Sequence, residues 1–394
     1  MKLLLTDNAH IYKTSDGKYY SPSIYSNEFF QRYLDVFDEV RFISKTKYVG
    51  EIDTTNYLPI TCKGLEIFEL PWYQGFKGMI SNIFKLIPRY RTSCDGCDCY
   101  IFRVAQIESY LAYFLGRKRK KPFAIEVVND PATFTNLSYL FRKVNILVLK
   151  YLAKRANGVS YVTQRTLQKI YPNTAMCLGE TSNHFQSFYS SIELNTSDIR
   201  NFKDYSNPKP QFELIHVANS INSNVKGHLT VIKTLKSIRD KGYNVSICFI
   251  GEGTSVPDFK KFAENLGVLQ YVNFIGRLHS REKIIDRLMI SDLYFYPTYL
   301  EGLPRCIIEA MSAGLPCLSS PIAGIPELLE KKYLFNPFDS DAFAEEIIRL
   351  INAPSELTIM SQKNIQTAKK YTNDELNIRR NDFYSKLRNL TDKS

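Results

Sequence analysis

The sequence predicts an α/β protein built from two doubly wound parallel-sheet domains in tandem. Short β-branched and aromatic runs alternate with helical periodicities along the whole chain. These runs are almost wholly apolar, as in parallel strands covered by helices on both faces. The chain also has 394 residues, more than one hydrophobic core normally serves.

Strand and helix candidates alternate in order through the first half. The strand candidates are residues 2–5, 40–43, 65–70, 100–104, 123–128 and 158–163. Apolar residues at three- and four-residue steps predict helices over 27–37 and 137–155. The polar stretch 190–210 has few apolar anchors, so we expect it to be an interdomain linker.

The alternation restarts after the linker. Strands are predicted at 212–218, 245–250, 272–275 and 292–296, with helices over 226–240, 256–266 and 282–290. A last amphipathic helix is predicted over 372–390. The expected domains are therefore 1–200 and 201–371, and ligands of such sheets bind at the carboxyl ends of the strands, in the cleft between the domains.

The charge is unevenly distributed. The chain carries 51 Lys and Arg against 40 Asp and Glu, a net charge of +11. Residues 101–155 alone hold 11 basic and 3 acidic side chains. Such an excess suits nucleic acid or an anionic membrane surface, and it lies in the first domain.

Several protein classes are excluded. No segment approaches the roughly 20 apolar residues of a spanning helix, and no signal peptide is evident, so the protein is expected to be neither integral nor exported. The eight cysteines are scattered, which suggests a reducing cytoplasm. The cluster Cys94, Cys97 and Cys99 lacks a second ligand pair, so no metal site is expected.

The stretch 301–316, EGLPRCIIEAMSAGLP, carries the most chemical information. Glu301 lies in a loop after a strand, and Glu309 projects from the second turn of the helix that Pro304 begins. Free amides at the start of this helix favour an anion, and they belong to the region of Gly302, Leu303 and Arg305. The two carboxylates and the amides would suit a sugar, a ribose diol and a phosphate.

This stretch resembles the Glu-x7-Glu signature of the family-4 retaining glycosyltransferases, which have the GT-B fold of two Rossmann-like domains. The resemblance covers residues 212–330, and the first half matches only in rhythm. It implies that Glu309 binds the ribose, that Glu301 contacts the donor sugar, and that Gly302 and Leu303 cradle that sugar. Lys226 would hold the diphosphate. The same resemblance includes the glycine turn Gly251-Glu252-Gly253 and implies that the final segment, 372–394, crosses back to the first domain.

Two positions depart from the family pattern. Asn219 stands where the family usually carries an arginine for the diphosphate, and our hypothesis is that Arg305 restores the missing charge. The place of a frequent first-domain histidine is taken by Asn129 and Asp130. Either of these binds a sugar hydroxyl or orients the acceptor, or Asp130 merely starts a turn.

Two further residues are candidates for ligand contact. His10 follows the first predicted strand and is a candidate on the acceptor side. Arg277 lies where such folds usually receive the nucleotide base, on which its guanidinium plane would stack; a solvated loop arginine is the alternative.

The basic surface favours a membrane partner over nucleic acid. From Phe76 to Arg91, apolar residues recur at three- and four-residue steps between basic flanks, as in an interfacial helix on anionic lipid; a core-facing helix is the alternative. The run from Arg117 to Lys121 would join it on the same face. No nucleic-acid-binding signature is present, so no nucleic acid partner is expected.

The resemblance as a whole implies a retaining, metal-independent hexosyltransferase without a cofactor. It would move a sugar from a UDP- or GDP-linked donor to a hydroxyl of a lipid-linked glycan, in capsule or lipopolysaccharide synthesis. The protein would be cytoplasmic and peripheral on the inner face of the cell membrane. A nucleotide-sugar-binding protein and a sugar-nucleotide epimerase are the alternatives, and the sugar, nucleotide, acceptor, linkage and oligomeric state stay open.

Overall fold

The chain folds into two units, each built on a mainly parallel sheet. The computed structural model describes residues 1–22, 25–54, 57–133, 138–207, 209–278 and 280–392. The first unit comprises Met1–Tyr189 and Asn377–Ser394, and the second comprises Ser190–Leu376.

The described residues of the first unit form a nine-stranded sheet. Its strands are β1 (Lys2–Lys13), β2 (Tyr19–Ser21), β3 (Glu39–Tyr48), β4 (Leu58–Ile60), β5 (Leu65–Leu70), β6 (Cys99–Val104), β7 (Phe123–Val127), β8 (Gly158–Tyr161) and β9 (Phe185–Phe188). The parallel strands follow the spatial order β5-β3-β1-β6-β7-β8-β9. Because the order reverses at β1, this sheet has the doubly wound topology that the alternation predicts.

Helices connect these strands. They are α1 (Asn27–Leu34), α2 (Gly75–Ser81), α3 (Ile83–Ser93), α4 (Ile107–Leu111), α5 (Tyr139–Arg155), α6 (Thr166–Ile170) and α7 (Thr174–Leu178). The single helix expected over 76–91 is wrong in detail, because the chain breaks at Asn82 into α2 and α3.

The second unit repeats the topology on a smaller scale. Its strands are β10 (Phe212–Ser220), β11 (Val245–Glu252), β12 (Val272–Phe274), β13 (Leu293–Tyr296) and β14 (Cys317–Ser319), in the order β12-β11-β10-β13-β14. Its helices are α8 (His228–Asp240), α9 (Val256–Asn265), α10 (Arg281–Ile290), α11 (Arg305–Ser312), α12 (Ser340–Ile351) and α13 (Pro354–Lys369). The two-domain doubly wound α/β class is confirmed.

The polar stretch expected to be a linker packs onto the second unit. The Arg200 amide donates to the Ser312 carbonyl at 2.8 Å. The Tyr205 hydroxyl donates to the Asp292 carbonyl at 2.7 Å. These contacts account for the inclusion of residues from Ser190 onward in that unit.

The last helix, α14 (Asn373–Asp392), belongs to the first unit from Asn377 onward. Phe383 packs edge-on against Phe185, with ring centroids 5.2 Å apart. The Tyr384 hydroxyl donates to Glu126 Oε1 at 2.7 Å. Among the described residues, no helix has both the length and the apolar content that a membrane span requires.

Candidate functional site

Lys226 and the Glu-x7-Glu stretch of the second unit lie beyond the ends of neighbouring parallel strands, β10 and β13. A short 3-10 turn, Asn224–Lys226, follows β10, and the loop 297–304 follows β13. The two loops are joined, because the Tyr299 amide donates to the Val225 carbonyl at 2.9 Å. Lys226 is thereby brought to the start of the Glu-x7-Glu stretch.

Two glycines allow the backbone segments to approach this closely. Gly227 has φ +81°, and a Cβ there would lie 2.0 Å from the Pro297 carbonyl oxygen. Gly251 has φ +138°, and its Cβ would lie 1.8 Å from the Ala218 carbonyl oxygen. Both contacts would be severe clashes, so these turns require glycine. Gly251 faces the irregularity in β10 between Val217 and Ser220, where Asn219 is exposed.

Lys226 and Glu301 form an ion pair at the centre of the site. The Lys226 ammonium donates to Glu301 Oε1 and, at 3.1 Å, to the Leu300 carbonyl. The Tyr296 hydroxyl donates to the same carboxylate oxygen at 2.5 Å. An ammonium has three donors, and these two contacts of Lys226 use two of them.

Helix α11 presents its amino terminus to the same loop. Its N-cap residue is Pro304, which provides no side-chain cap for the first amides. The preceding Gly302 and Leu303 are buried, and the Gly302 carbonyl accepts a bond from the Gly324 amide at 2.8 Å. Uncapped amides and the helix dipole together favour an anion at this point.

Glu309 lies one turn farther along α11 and is half-buried. Burial raises the pKa of its carboxyl group, and the positive charges of Arg305 and Arg281 oppose that rise. Arg281 also lies 3.8 Å from the carboxylates of Glu193 and Asp198. Glu309 is therefore a desolvated acceptor within the electrostatic reach of two arginines.

The raised pKa of Glu309 predicts how ligand affinity depends on pH. A group with a raised pKa takes up its proton at higher pH, so the carboxylate should be lost above the ordinary value of 4.5. Affinity for a ribose-containing ligand should therefore fall on acidification within that window. Titrations from pH 7 to about pH 4.5 check this, with Glu309→Gln as the control. An equal decline in the variant would assign the effect to another group.

The remaining second-unit candidates flank these residues. Arg305 is half-buried in the first turn of α11. Arg277 Nη1 lies 3.5 Å from Glu252 Oε1, and its side chain is 34% exposed. The contact holds Arg277 beside the turn that contains Gly251, and the side chain remains partly exposed. Stacking on a base stays a prediction.

Asp130 starts a turn in the first unit. Its Oδ1 atom accepts bonds from the Ala132 amide at 2.9 Å and the Tyr171 hydroxyl at 2.5 Å. A 3-10 turn, Pro131–Thr133, follows, and Asn129 beside it is half-buried. Asp130 therefore has the structural role of starting a turn. Contact of Asp130 or Asn129 with a substrate stays a prediction.

We expected His10 to follow the first strand, but the structure places it within that strand. β1 continues to Lys13 because β3 pairs along its length and β2 pairs with its last residues. The His10 ring nitrogen Nε2 is 3.1 Å from the Tyr73 carbonyl oxygen. Burial lowers the pKa of His10, and the charge of Lys45 lowers it further. Contact with an acceptor stays a prediction.

Sequence reasoning missed Tyr296 and Arg281. Tyr296 holds Glu301, but in the sequence it is indistinguishable from its buried neighbour Tyr294. Arg281 is the first residue of α10, and no sequence motif marks it as a ligand-binding residue. In the first unit, the buried pair Lys45 and Glu108, 2.7 Å apart, also gave no sequence signal.

Within the described ranges, no group of three His, Cys, Asp or Glu side chains is arranged to hold a metal ion. A cavity of about 640 Å³ in the second unit is lined by residues such as Leu328, Tyr333 and Met360 and includes none of the candidate residues.

The chain is similar to several known proteins, over part of its length or over all of it. Residues 198–370 match the family described as glycosyl transferases group 1. Protein CapJ of Staphylococcus aureus is 28% identical over 98% of both chains. A UDP-Gal:alpha-D-GlcNAc-diphosphoundecaprenol alpha-1,3-galactosyltransferase of Escherichia coli is 30% identical over 29% of each chain. Sucrose-phosphate synthase from Thermosynechococcus elongatus superposes over 100% of both chains with a TM-score of 0.72 and 13% identity, which shows the fold.

Proposed function

We propose that the chain is a group 1 glycosyltransferase with the GT-B fold, because residues 198–370 match that family and the whole chain has the fold of sucrose-phosphate synthase. It transfers a sugar from a UDP- or GDP-linked donor to a glycan hydroxyl with retention of anomeric configuration. The observation that carries this proposal is the junction of Lys226, Glu301 and the uncapped start of α11, with Glu309 one turn beyond. These groups match the charges and hydroxyls of a nucleotide sugar.

Each group has a distinct role toward the donor. The Glu309 carboxylate accepts bonds from the ribose diol, and Glu301 contacts the donor sugar while Gly302 and Leu303 line it. Lys226, the first amides of α11 and Arg305 neutralise the diphosphate, and Asn219 adds a neutral hydrogen bond. Charge-assisted bonds of this kind are the strong ones in partly desolvated sites.

The reaction needs no protein base. The acceptor oxygen attacks the anomeric carbon from the face that the diphosphate leaves. As the carbon–oxygen bond to phosphate breaks, its electron pair passes to the departing phosphate oxygen, which takes the acceptor proton. Stabilisation of the developing negative charge is the largest contribution that the protein makes, and neither a metal nor a cofactor is part of this proposal.

The acceptor we propose is a glycan on a lipid diphosphate, used in cell-surface polysaccharide synthesis. The name of the Escherichia coli relative specifies an acceptor of that kind, and CapJ is similar over nearly the whole chain. Peripheral attachment to the inner face of the cell membrane would bring the protein to it. In support, Phe76, Ile80 and Phe84 are 46%, 52% and 88% exposed on α2 and α3, next to basic side chains.

A thermal-shift screen with UDP- and GDP-sugars tests the donor proposal. A ligand present at 100 times its dissociation constant stabilises a protein by roughly 2.7 kcal/mol. A response confined to one nucleotide and one sugar would identify the donor. Release of free nucleotide from the nucleotide sugar separates a transferase from a binding protein. Conversion of the sugar into its epimer without transfer would favour an epimerase. If no nucleotide sugar in the panel raised the melting temperature, the proposal would be contradicted.

Arg305→Ala is expected to abolish most turnover and leave the fold intact. Asn219 carries no charge, so Arg305 is the guanidinium that we assign to the diphosphate. Removal of one such group by analogy with oxyanion donors should lower kcat about 100-fold. Steady-state kinetics and the melting temperature check this, with Arg305→Lys as the partial-rescue variant. Near-normal turnover in Arg305→Ala would remove this role.

A further inference from the structure

A basic pocket in the first unit lies outside the donor site. It has a volume of about 470 Å³ and is lined by Arg117, Arg119 and Arg155 together with Tyr113, Phe123 and Tyr151. The Arg117 guanidinium lies over the Phe123 ring at 4.2 Å, and that of Arg155 lies over Tyr151 at 4.6 Å. Two of the three guanidiniums of the pocket therefore lie over aromatic rings, and Arg119 adds a third positive charge.

The positive charge of this pocket is not neutralised within the described part of the chain. None of the three arginines has a carboxylate within ion-pair distance there, and Arg117 Nε is buried without a hydrogen-bond partner. Arg117 instead donates to the carbonyls of Arg119 and Lys121, both at 3.3 Å. These bonds orient the guanidinium and leave its charge available to an anion.

The acidic residues of the same segment are directed inward. Glu108, Glu126 and Asp130 are 3%, 4% and 7% exposed. Glu108 pairs with Lys45 at 2.7 Å, and Glu126 with Arg103 at 3.1 Å. The outward charge of residues 101–155 is therefore almost wholly positive.

The pocket adjoins an exposed apolar stripe on α5. Its members recur at steps of four, three and four residues and so share one helix face: Leu140, Val144, Leu147 and Tyr151, which are 70%, 48%, 65% and 41% exposed. Leu149, Leu152 and Ala153 on the other face are buried. Tyr151 belongs to both the stripe and the pocket. An apolar helix face that stays exposed while the opposite face is buried indicates a second apolar binding partner.

We propose that this pocket binds the phosphate of an anionic membrane lipid while the α5 stripe enters the acyl boundary of the bilayer. The inference rests on the proposed membrane attachment and adds the groups that recognise the lipid. In one phospholipid, the phosphate would bind the guanidiniums of the pocket and the acyl chains would contact the adjoining apolar stripe. Phe76 on α2 packs against Phe141 on α5, with ring centroids 5.2 Å apart, so the apolar surface continues onto α2.

Vesicle flotation tests the charged part of the proposal. The intact protein should float with vesicles of phosphatidylglycerol and remain below with phosphatidylcholine. Arg119→Gln with Arg155→Gln should weaken flotation about tenfold or more, since each basic residue near an anionic surface contributes about fivefold. The matched control is Lys241→Gln with Lys261→Gln, which removes the same charge from exposed positions of the second unit and should change nothing. Equal losses in both pairs would reduce the effect to net charge and overturn the pocket.

A second pair of variants tests the apolar part. Leu140→Ser with Leu147→Ser should weaken flotation, whereas Ile290→Ser with Ile378→Ser, at 64% and 68% exposure, should not. If only the arginine pair matters and inorganic phosphate displaces the vesicles, the ligand is a soluble phosphate and the lipid assignment is wrong. Displacement by RNA at equal strength would likewise overturn it. Each variant should keep the thermal shift by nucleotide, and a wild-type protein without that shift would instead contradict the proposed function.

Discussion

Lys226→Met should lower kcat by about 100-fold or more while the protein still folds. The ammonium is the positive charge closest to the loop that carries Glu301, and loss of one preorganised donor to a developing anion typically costs 10²- to 10³-fold. Methionine keeps an unbranched side chain of similar size and removes the ammonium, with both its charge and its hydrogen-bond donors. Steady-state kinetics with saturating donor measures the effect.

The design of this experiment must separate catalysis from the loss of an ion pair. Lys233→Met is the matched control, because Lys233 is an exposed lysine on α8, outside the site. A second variant, Lys226→Met with Glu301→Gln, removes both charges and should restore the melting temperature without restoring turnover. If the single variant retained turnover within a few-fold of wild type, Lys226 would not stabilise the diphosphate.

Gly227→Ala should destabilise the second unit by roughly 3 kcal/mol or more. The residue has φ +81°, and a Cβ would lie 2.0 Å from the Pro297 carbonyl oxygen, so the two site loops would have to separate. A loss of that size corresponds to about 6 °C or more for a unit of this length. The transition that nucleotide shifts is the one to follow, because two units need not unfold together.

Gly242→Ala provides the control for backbone conformation alone. Gly242 has φ +84°, but a Cβ there meets nothing within 4 Å. It should cost about 1 to 2 kcal/mol, the usual cost of a side chain in the left-handed region. Equal losses in the two variants would mean that the close approach to Pro297 contributes nothing.

The fold was predictable because its signals are local and repeated. Every strand predicted in either half has a counterpart, since a buried parallel strand is an unbroken apolar run. The strands that were missed are short or lack that signature: β2 pairs antiparallel with the last residues of β1, β4 pairs antiparallel with β2, and β9 and β14 are brief. Their formation depends on partners that are distant in sequence, which periodicity does not record.

The site was predictable only where a motif marks it. The Glu-x7-Glu stretch located Glu301 and Glu309, and the structure joins Lys226 to Glu301. Tyr296 and Arg281 are brought to the site by the fold and not by a motif, because Tyr296 ends a buried strand and Arg281 begins a separate helix. The exposure of the α5 stripe was not predictable either, since an apolar helix face has the same sequence whether it meets a core or a membrane.

Calorimetric titration of UDP and GDP into the protein tests the central claim most directly. One nucleotide should bind, and Glu309→Gln and Lys226→Met should each weaken it about tenfold or more, since a hydrogen bond to a charged group contributes about 1.5 to 3 kcal/mol. Lys233→Met should bind as wild type does. If neither nucleotide bound, or if binding were unchanged in both site variants, the second unit would not hold its donor where Lys226 meets Glu301.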